Sequence, residues 1–220
     1  MTATQTTVTN DPAAHKILRA AHEGGYRFPT GFAGFAADLT YADDTQSVNG
    51  SVTLRSPRQI ELNLPDTTDD VREWVTRELA SMAGHRWPRS YEEGDGRWTL
   101  TLAGEDHGGA LIQLHDDPFG SFYRVRDGHI IQVTRNTSPL RFSILVLSHT
   151  TAPDGRALPA TFVVSYWQSS PDRLIRTEAY VDDFTEVDGV MLPSRREVTT
   201  SDDQGVTRRE LVLRSHRLFS

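Results

Sequence analysis

Hydrophobic and polar positions recur along this chain with two periods. Ile17, Leu18 and Ala21 form one apolar stripe, preceded by Asp11-Pro12 and closed by Gly24-Gly25. An aspartate N-cap, a proline at the first helical position and a terminal glycine predict a short N-terminal helix. From Phe32 the period drops to two. Phe35, Ala37, Leu39 and Tyr41 alternate with polar or small residues, as do Val48, Gly50, Val52 and Leu54, and then Ile60, Leu62 and Leu64. That pattern predicts a three-strand meander. The stretch DTTDDVREWVTRELASMAG returns to the helical period, with Val71, Trp74, Val75, Leu79 and Met82 on one face. Thr67 or Thr68 can cap it, aspartates fill its first turn, and Gly84 ends it.

Beyond Trp87-Pro88 the pattern is almost all strand. Runs such as RFSILVLSH, ATFVVSYWQ and RLIRTEAYV are punctuated by Asp127-Gly128, Asp154-Gly155, Asp188-Gly189 and Gln204-Gly205. Asp-Gly supplies the positive-φ residues a tight hairpin needs, and strands joined so closely are antiparallel. Val187, Val190 and Leu192 read as core, and Pro193 as a residue at a strand edge or start. The expected fold is α+β and β-dominated. A strongly curved antiparallel sheet of about eleven strands, a half-barrel or open barrel, wraps around one long helix, with a short N-terminal helix beside it. Residues 1–10 read as a flexible tail and residues 11–220 as a single curved-sheet ligand-binding domain.

Composition narrows the chemistry. The chain of 220 residues has no cysteine, which excludes disulfides, thiolate metal sites and cysteine nucleophiles. Lys16 is the only lysine, so Schiff-base chemistry would have to use a residue near the N-terminus. A net charge of −7 with scattered arginines gives no footprint for nucleic acid. No apolar run is long enough for a membrane span, and the start MTATQTTVTNDPAAHK has neither an apolar nor a basic leader region. The expectation is a cytoplasmic protein.

No nucleotide-binding glycine loop, G-x-S-x-G elbow or H-E-x-x-H pair occurs, so no cofactor and no metal is implied. LHDDPFG could offer His115, Asp116 and Asp117 to a cation, but Asp-Asp-Pro is also an ordinary turn. Polar residues inside apolar strands are the remaining signal, because a buried charge persists only when paired or used. His85, directly after the long helix, and His149 are candidates for proton transfer, with Tyr166 and Glu178 beside them in strand patterns. Arg124 and Arg135 could hold a carboxylate, phosphate or enolate oxygen, while Trp74, Trp87 and Trp167 could line an apolar site. Each has a plain alternative: a histidine at a helix C-terminus complements the dipole, and cross-strand Arg–Glu pairs stabilise solvated faces.

The stretch DDFTEVDGVMLPSRREV resembles the terminal hairpin of the LolA-like lipoprotein-carrier superfamily. That resemblance implies a curved antiparallel sheet on a helical plug that binds acyl chains. GFAGFAADLTY, GHRWPRSYE, GSFYRVRDGHIIQVTR and DGRALPATFVVSYW resemble, over most of the chain, a bacterial and plastid family defined only as a domain of unknown function. The strand faces with their in-strand polar residues and the carrier-like hairpin leave two main expectations. One is a small, largely apolar molecule bound in the hollow of the sheet and isomerised, cyclised or split by elimination without a cofactor. The other is a passive carrier or sequestering protein for a hydrophobic, lipid-like ligand. A structural or assembly factor using an exposed sheet edge is a third.

Overall fold

The structure, a computed structural model, describes residues 8–219. The first part of the expected tail, residues 1–7, lies outside them. In chain order the elements are α1 (Pro12–Gly24), β1 (Phe35–Asp43), β2 (Ser47–Ser56), β3 (Gln59–Asn63), α2 (Asp69–Gly84), β4 (Thr99–Asp106), β5 (Gly109–His115), β6 (Phe122–Arg126) and β7 (His129–Asn136). There follow β8 (Leu140–Thr151), β9 (Ala157–Ser169), β10 (Asp172–Val187), β11 (Val190–Asp202) and β12 (Gly205–Leu218). They form one unclosed antiparallel sheet in the order β3-β2-β1-β12-β11-β10-β9-β8-β7-β6-β5-β4. The twelve strands exceed the expected count by one. Part of the difficulty is chemical: β7–β8 and β9–β10 turn through Ser138-Pro139 and Ser170-Pro171, without an Asp-Gly signal.

The chain divides into two compact units. The first comprises residues 8–25, 89–147 and 164–175. Its helix α1 begins where the sequence predicts, with the Asp11 side chain accepting from Ala13 N at 2.8 Å. Ala14, Leu18 and Ala21 pack with Leu100, Ile112, Leu114, Tyr123 and Val125 of β4, β5 and β6, and with Tyr91. Leu18 is wholly buried, an interaction that contributes about 1.5–3 kcal/mol. The β6–β7 hairpin turns on Asp127 and Gly128, both at positive φ.

The second unit comprises residues 26–88, 148–163 and 176–219. Its α2 starts at Thr68, whose hydroxyl accepts from Val71 N, and buries Val71, Trp74, Val75, Leu79 and Met82. The Trp74 ring meets Tyr41 of β1 edge-on at 5.8 Å. Both expected helices are present, one in each unit, each with its own apolar stripe. The β10–β11 hairpin turns on Asp188 and Gly189 (φ 49° and 81°) and buries Val190 and Leu192. Pro193 departs from expectation. It lies inside β11, an interior strand, where the register slips between Asp183 and Phe184. The extra residue of that bulge is the neighbouring Ser194, while Pro193 itself stays opposite Phe184.

Candidate functional site

Strand alternation decides which polar residues of the first unit share a face. Tyr123 of β6 lies opposite Val133 of β7, and on β8 Ile144 and Phe142 lie opposite Val133 and Arg135. Directly opposed residues project to the same side of a sheet. This is the side covered by α1, because Tyr123 and Val133 belong to the core beneath that helix. Past that core the same face continues into Arg135, Phe142 and Ile144, all half-buried. The Phe142 ring lies 6.1 Å from that of Tyr166 on β9, while Arg141 stacks on Trp167 at 4.9 Å. Tyr166 therefore joins Arg135 on the inner face, and its neighbour Trp167 projects outward. Leu140, two residues before Phe142, brings an exposed leucine to the inner face.

Arg135 is the charged centre of this face. Its Nη2 donates to the Tyr123 hydroxyl at 2.9 Å, and that hydroxyl donates to Asp95 Oδ1 at 3.2 Å. Its guanidinium carbon stands 5.4 Å from the centre of the Phe119 ring. Its Nε is buried and has no hydrogen-bond partner among the described residues. Burial works against the guanidinium charge, but Tyr123, Asp95 and Asp117 more than offset it and raise its pKa above the ordinary arginine value. Burial pushes the Tyr123 phenol up to about 12, so it stays neutral and able to donate. Phe119 is held by its loop: Asn136 N donates to Phe119 O at 2.7 Å, and Ser121 N donates to Asp117 Oδ2 at 3.0 Å. His115 of the same segment is bound to the Thr101 hydroxyl at 2.9 Å. Among the described residues no group of three or more histidine, aspartate or glutamate side chains is arranged to hold a metal.

The other expected residues are distributed more widely. Arg124 alternates with the buried Tyr123 and Val125, so it lies on the outer face, where it pairs with Asp106 at 2.7 Å. In the second unit His85 is exposed and caps α2, while His149 is half-buried on β8. Glu178 accepts from the Tyr180 hydroxyl at 2.8 Å and pairs with Arg176 at 3.2 Å. Trp74 is buried against Tyr41, and Trp87 packs edge-on against Phe28 and Phe32. A surface cleft of about 450 Å³, lined by Asn10, Pro12, His15, Lys16 and Arg19, lies beside α1.

One cluster has no counterpart in the sequence expectations. In the second unit Arg196 clasps Asp182 through Nε at 2.7 Å and Nη2 at 2.6 Å, and reaches Glu78 of α2 through Nη1 at 3.1 Å. Arg86 lies 3.8 Å from Asp182 and donates to Met82 O at 2.7 Å. Burial lowers the Arg86 pKa to about 10 and raises that of Glu78, in the latter case despite Arg196. All four side chains are almost wholly shielded from solvent. A bidentate Arg–Asp pair backed by a helix carboxylate fastens α2 to β10 and β11. Part of the signal is in the sequence: Asp182-Asp183 and Arg195-Arg196 flank the Asp188-Gly189 turn, but counting from the turn sets Asp182 opposite Arg195, and only the register slip at Asp183/Phe184 brings it opposite Arg196.

The protein is thus of the α+β class, built on an unclosed antiparallel sheet of twelve strands with two helices. No helix among the described residues is long and apolar enough to cross a membrane. The chain belongs to the DUF3386 family, described as proteins of unknown function, which matches residues 9–219. Among solved structures it is similar to a DUF1329 family protein from Desulfovibrio piger, at 9% identity over 96% of this chain and 93% of that one, with a TM-score of 0.38. It is also similar to a chain of the MucA/MucB complex of Pseudomonas aeruginosa, at 11% identity over 94% and 99% of the two chains, with a TM-score of 0.24. A comparison with curated proteins gave no match.

Proposed function

We propose that this protein is a non-catalytic carrier or sequestering protein for an apolar, lipid-like ligand, held on the inner face of β8 and β9 in the first unit. The observation that carries the reading is the run of apolar and aromatic side chains beyond the α1 core. Leu140 is exposed and Phe142, Ile144 and Tyr166 are half-buried on a continuous sheet face. Each ligand methylene removed from water there contributes about 0.8 kcal/mol. The polar groups of the face also suit binding better than proton transfer. Tyr123 is held neutral, and Arg135 keeps its charge across the physiological range. The catalytic alternative, a cofactor-independent isomerisation, cyclisation or elimination, needs a group that titrates near neutrality against the substrate.

Titration with the neutral fluorescent probe N-phenyl-1-naphthylamine tests the reading. Saturable binding is expected, weakened about tenfold in a Leu140→Asp, Ile144→Asn variant, since two lost apolar contacts of about 0.7 kcal/mol each multiply to that factor. A folded variant that binds the probe as wild type does, or a wild type that shows no saturation, overturns the proposal.

A further inference from the structure

The inner face of the first unit is not uniformly apolar, and the exception bears on what it binds. Arg135 carries a full positive charge in a half-buried setting. Its one hydrogen bond to another side chain is to a neutral phenol, and no carboxylate makes an ion pair with it among the described residues. Three other arginines of this unit are neutralised directly: Arg19 by Glu92, Arg124 by Asp106 at 2.7 Å, and Arg141 by Asp172 at 3.1 Å. Its carboxylate support is at longer range, from Asp95 behind the Tyr123 hydroxyl and from Asp117. A desolvated guanidinium with an unused Nε donor is costly unless an acceptor completes it. The fork of an arginine fits the paired oxygens of a carboxylate or phosphate. The Phe119 ring, 5.4 Å from the guanidinium, and the cross-strand neighbour Phe142 set that fork beside the apolar strip.

We infer that Arg135 is the head-group site of the ligand face, and that the ligand is an amphiphile with an oxyanion at one end of an apolar chain. The inference rests on the carrier reading and specifies its substrate class. The anion completes the Arg135 donors, Tyr123 keeps the guanidinium oriented, and the chain lies along Phe142, Ile144 and Tyr166.

The test is calorimetric titration of the full chain with dodecanoate, dodecyl phosphate, dodecanol and inorganic phosphate, each below its aggregation concentration. Either anionic amphiphile should bind at least tenfold tighter than dodecanol, and inorganic phosphate should bind far more weakly than either. Which of the two anions binds tighter separates a carboxylate head group from a phosphate one. In Arg135→Gln the advantage over dodecanol should disappear while dodecanol affinity is retained. Arg135→Lys, which keeps the charge without the fork, should retain part of it. Equal binding of dodecanol and the anions to wild type overturns the head-group inference but leaves the carrier reading standing. Absence of binding by every amphiphile overturns both. Circular dichroism and melting of each variant establish that it is folded, and an Arg135→Gln variant that is folded yet keeps the anion advantage also overturns the inference.

Discussion

Replacing Arg196 by methionine should be among the most damaging single changes the second unit can sustain. Arg196 makes three hydrogen bonds to two carboxylates, Asp182 at 2.7 and 2.6 Å and Glu78 at 3.1 Å. The Asp182 side chain has no solvent exposure and that of Glu78 has 7%. Methionine fills similar volume, so the loss is electrostatic rather than a cavity. Removing one partner of a buried ion pair costs about 3–5 kcal/mol, because the remaining charge is stranded. Arg86, 3.8 Å from Asp182, offsets part of this and places the expected loss at the lower end. At roughly 2–4 °C per kcal/mol for a chain of this length, the midpoint of thermal unfolding should fall by about 6–12 °C. Differential scanning calorimetry measures it. Adding Asp182→Asn to Arg196→Met should recover part of the loss, since the stranded carboxylate is then gone, and a double-mutant cycle isolates the coupling. A single variant that melts within about 1 °C of wild type, or a double variant that melts below the single, refutes the account of this cluster.

Other expectations are independent of that one. Glu78→Gln should change stability by no more than about 1 kcal/mol at pH 7, because its amide oxygen can still accept from Arg196 and the buried charge is removed. Burial raises the folded pKa of Glu78, so its contribution is full below its ordinary value near 4.5 and is lost as pH rises through the raised folded value. Denaturant unfolding of the glutamine variant across that window should therefore show a flatter profile. His216 behaves oppositely: burial lowers its pKa, while its Nε2–H donates to Pro193 O at 2.9 Å and works against that shift. Its contribution is full above the ordinary value of 6.5 and is lost as pH falls through the depressed folded value, so His216→Asn should flatten the acid side of the profile. Gly34→Ala should cost at least about 3 kcal/mol in urea unfolding, because φ is 99° and a Cβ would stand 2.0 Å from Leu54 O.

Particular residues show what periodicity could and could not reveal. Both helices lie where their caps and stripes place them, because Asp11-Pro12 and Thr68 act locally. The meander of β1, β2 and β3 and the hairpin at Asp188-Gly189 were legible for the same reason. Arg135 could be singled out as a charge inside an apolar strand, but not its partners. Tyr123, Phe119 and Asp95 reach it through cross-strand register and a loop, which depend on which strands pair. Arg124 and Trp167 show the converse limit. Each is one residue from an inward-facing neighbour, and one position along a strand reverses the face.

Photo-crosslinking with a dodecanoate carrying a diazirine near its chain end, followed by peptide mass spectrometry, tests the carrier account most directly. Adducts should fall on residues 140–147 and 164–168, be competed by unlabelled dodecanoate, and decline in Arg135→Gln. Adducts confined to the cleft beside α1, or spread over the surface without competition, would contradict it.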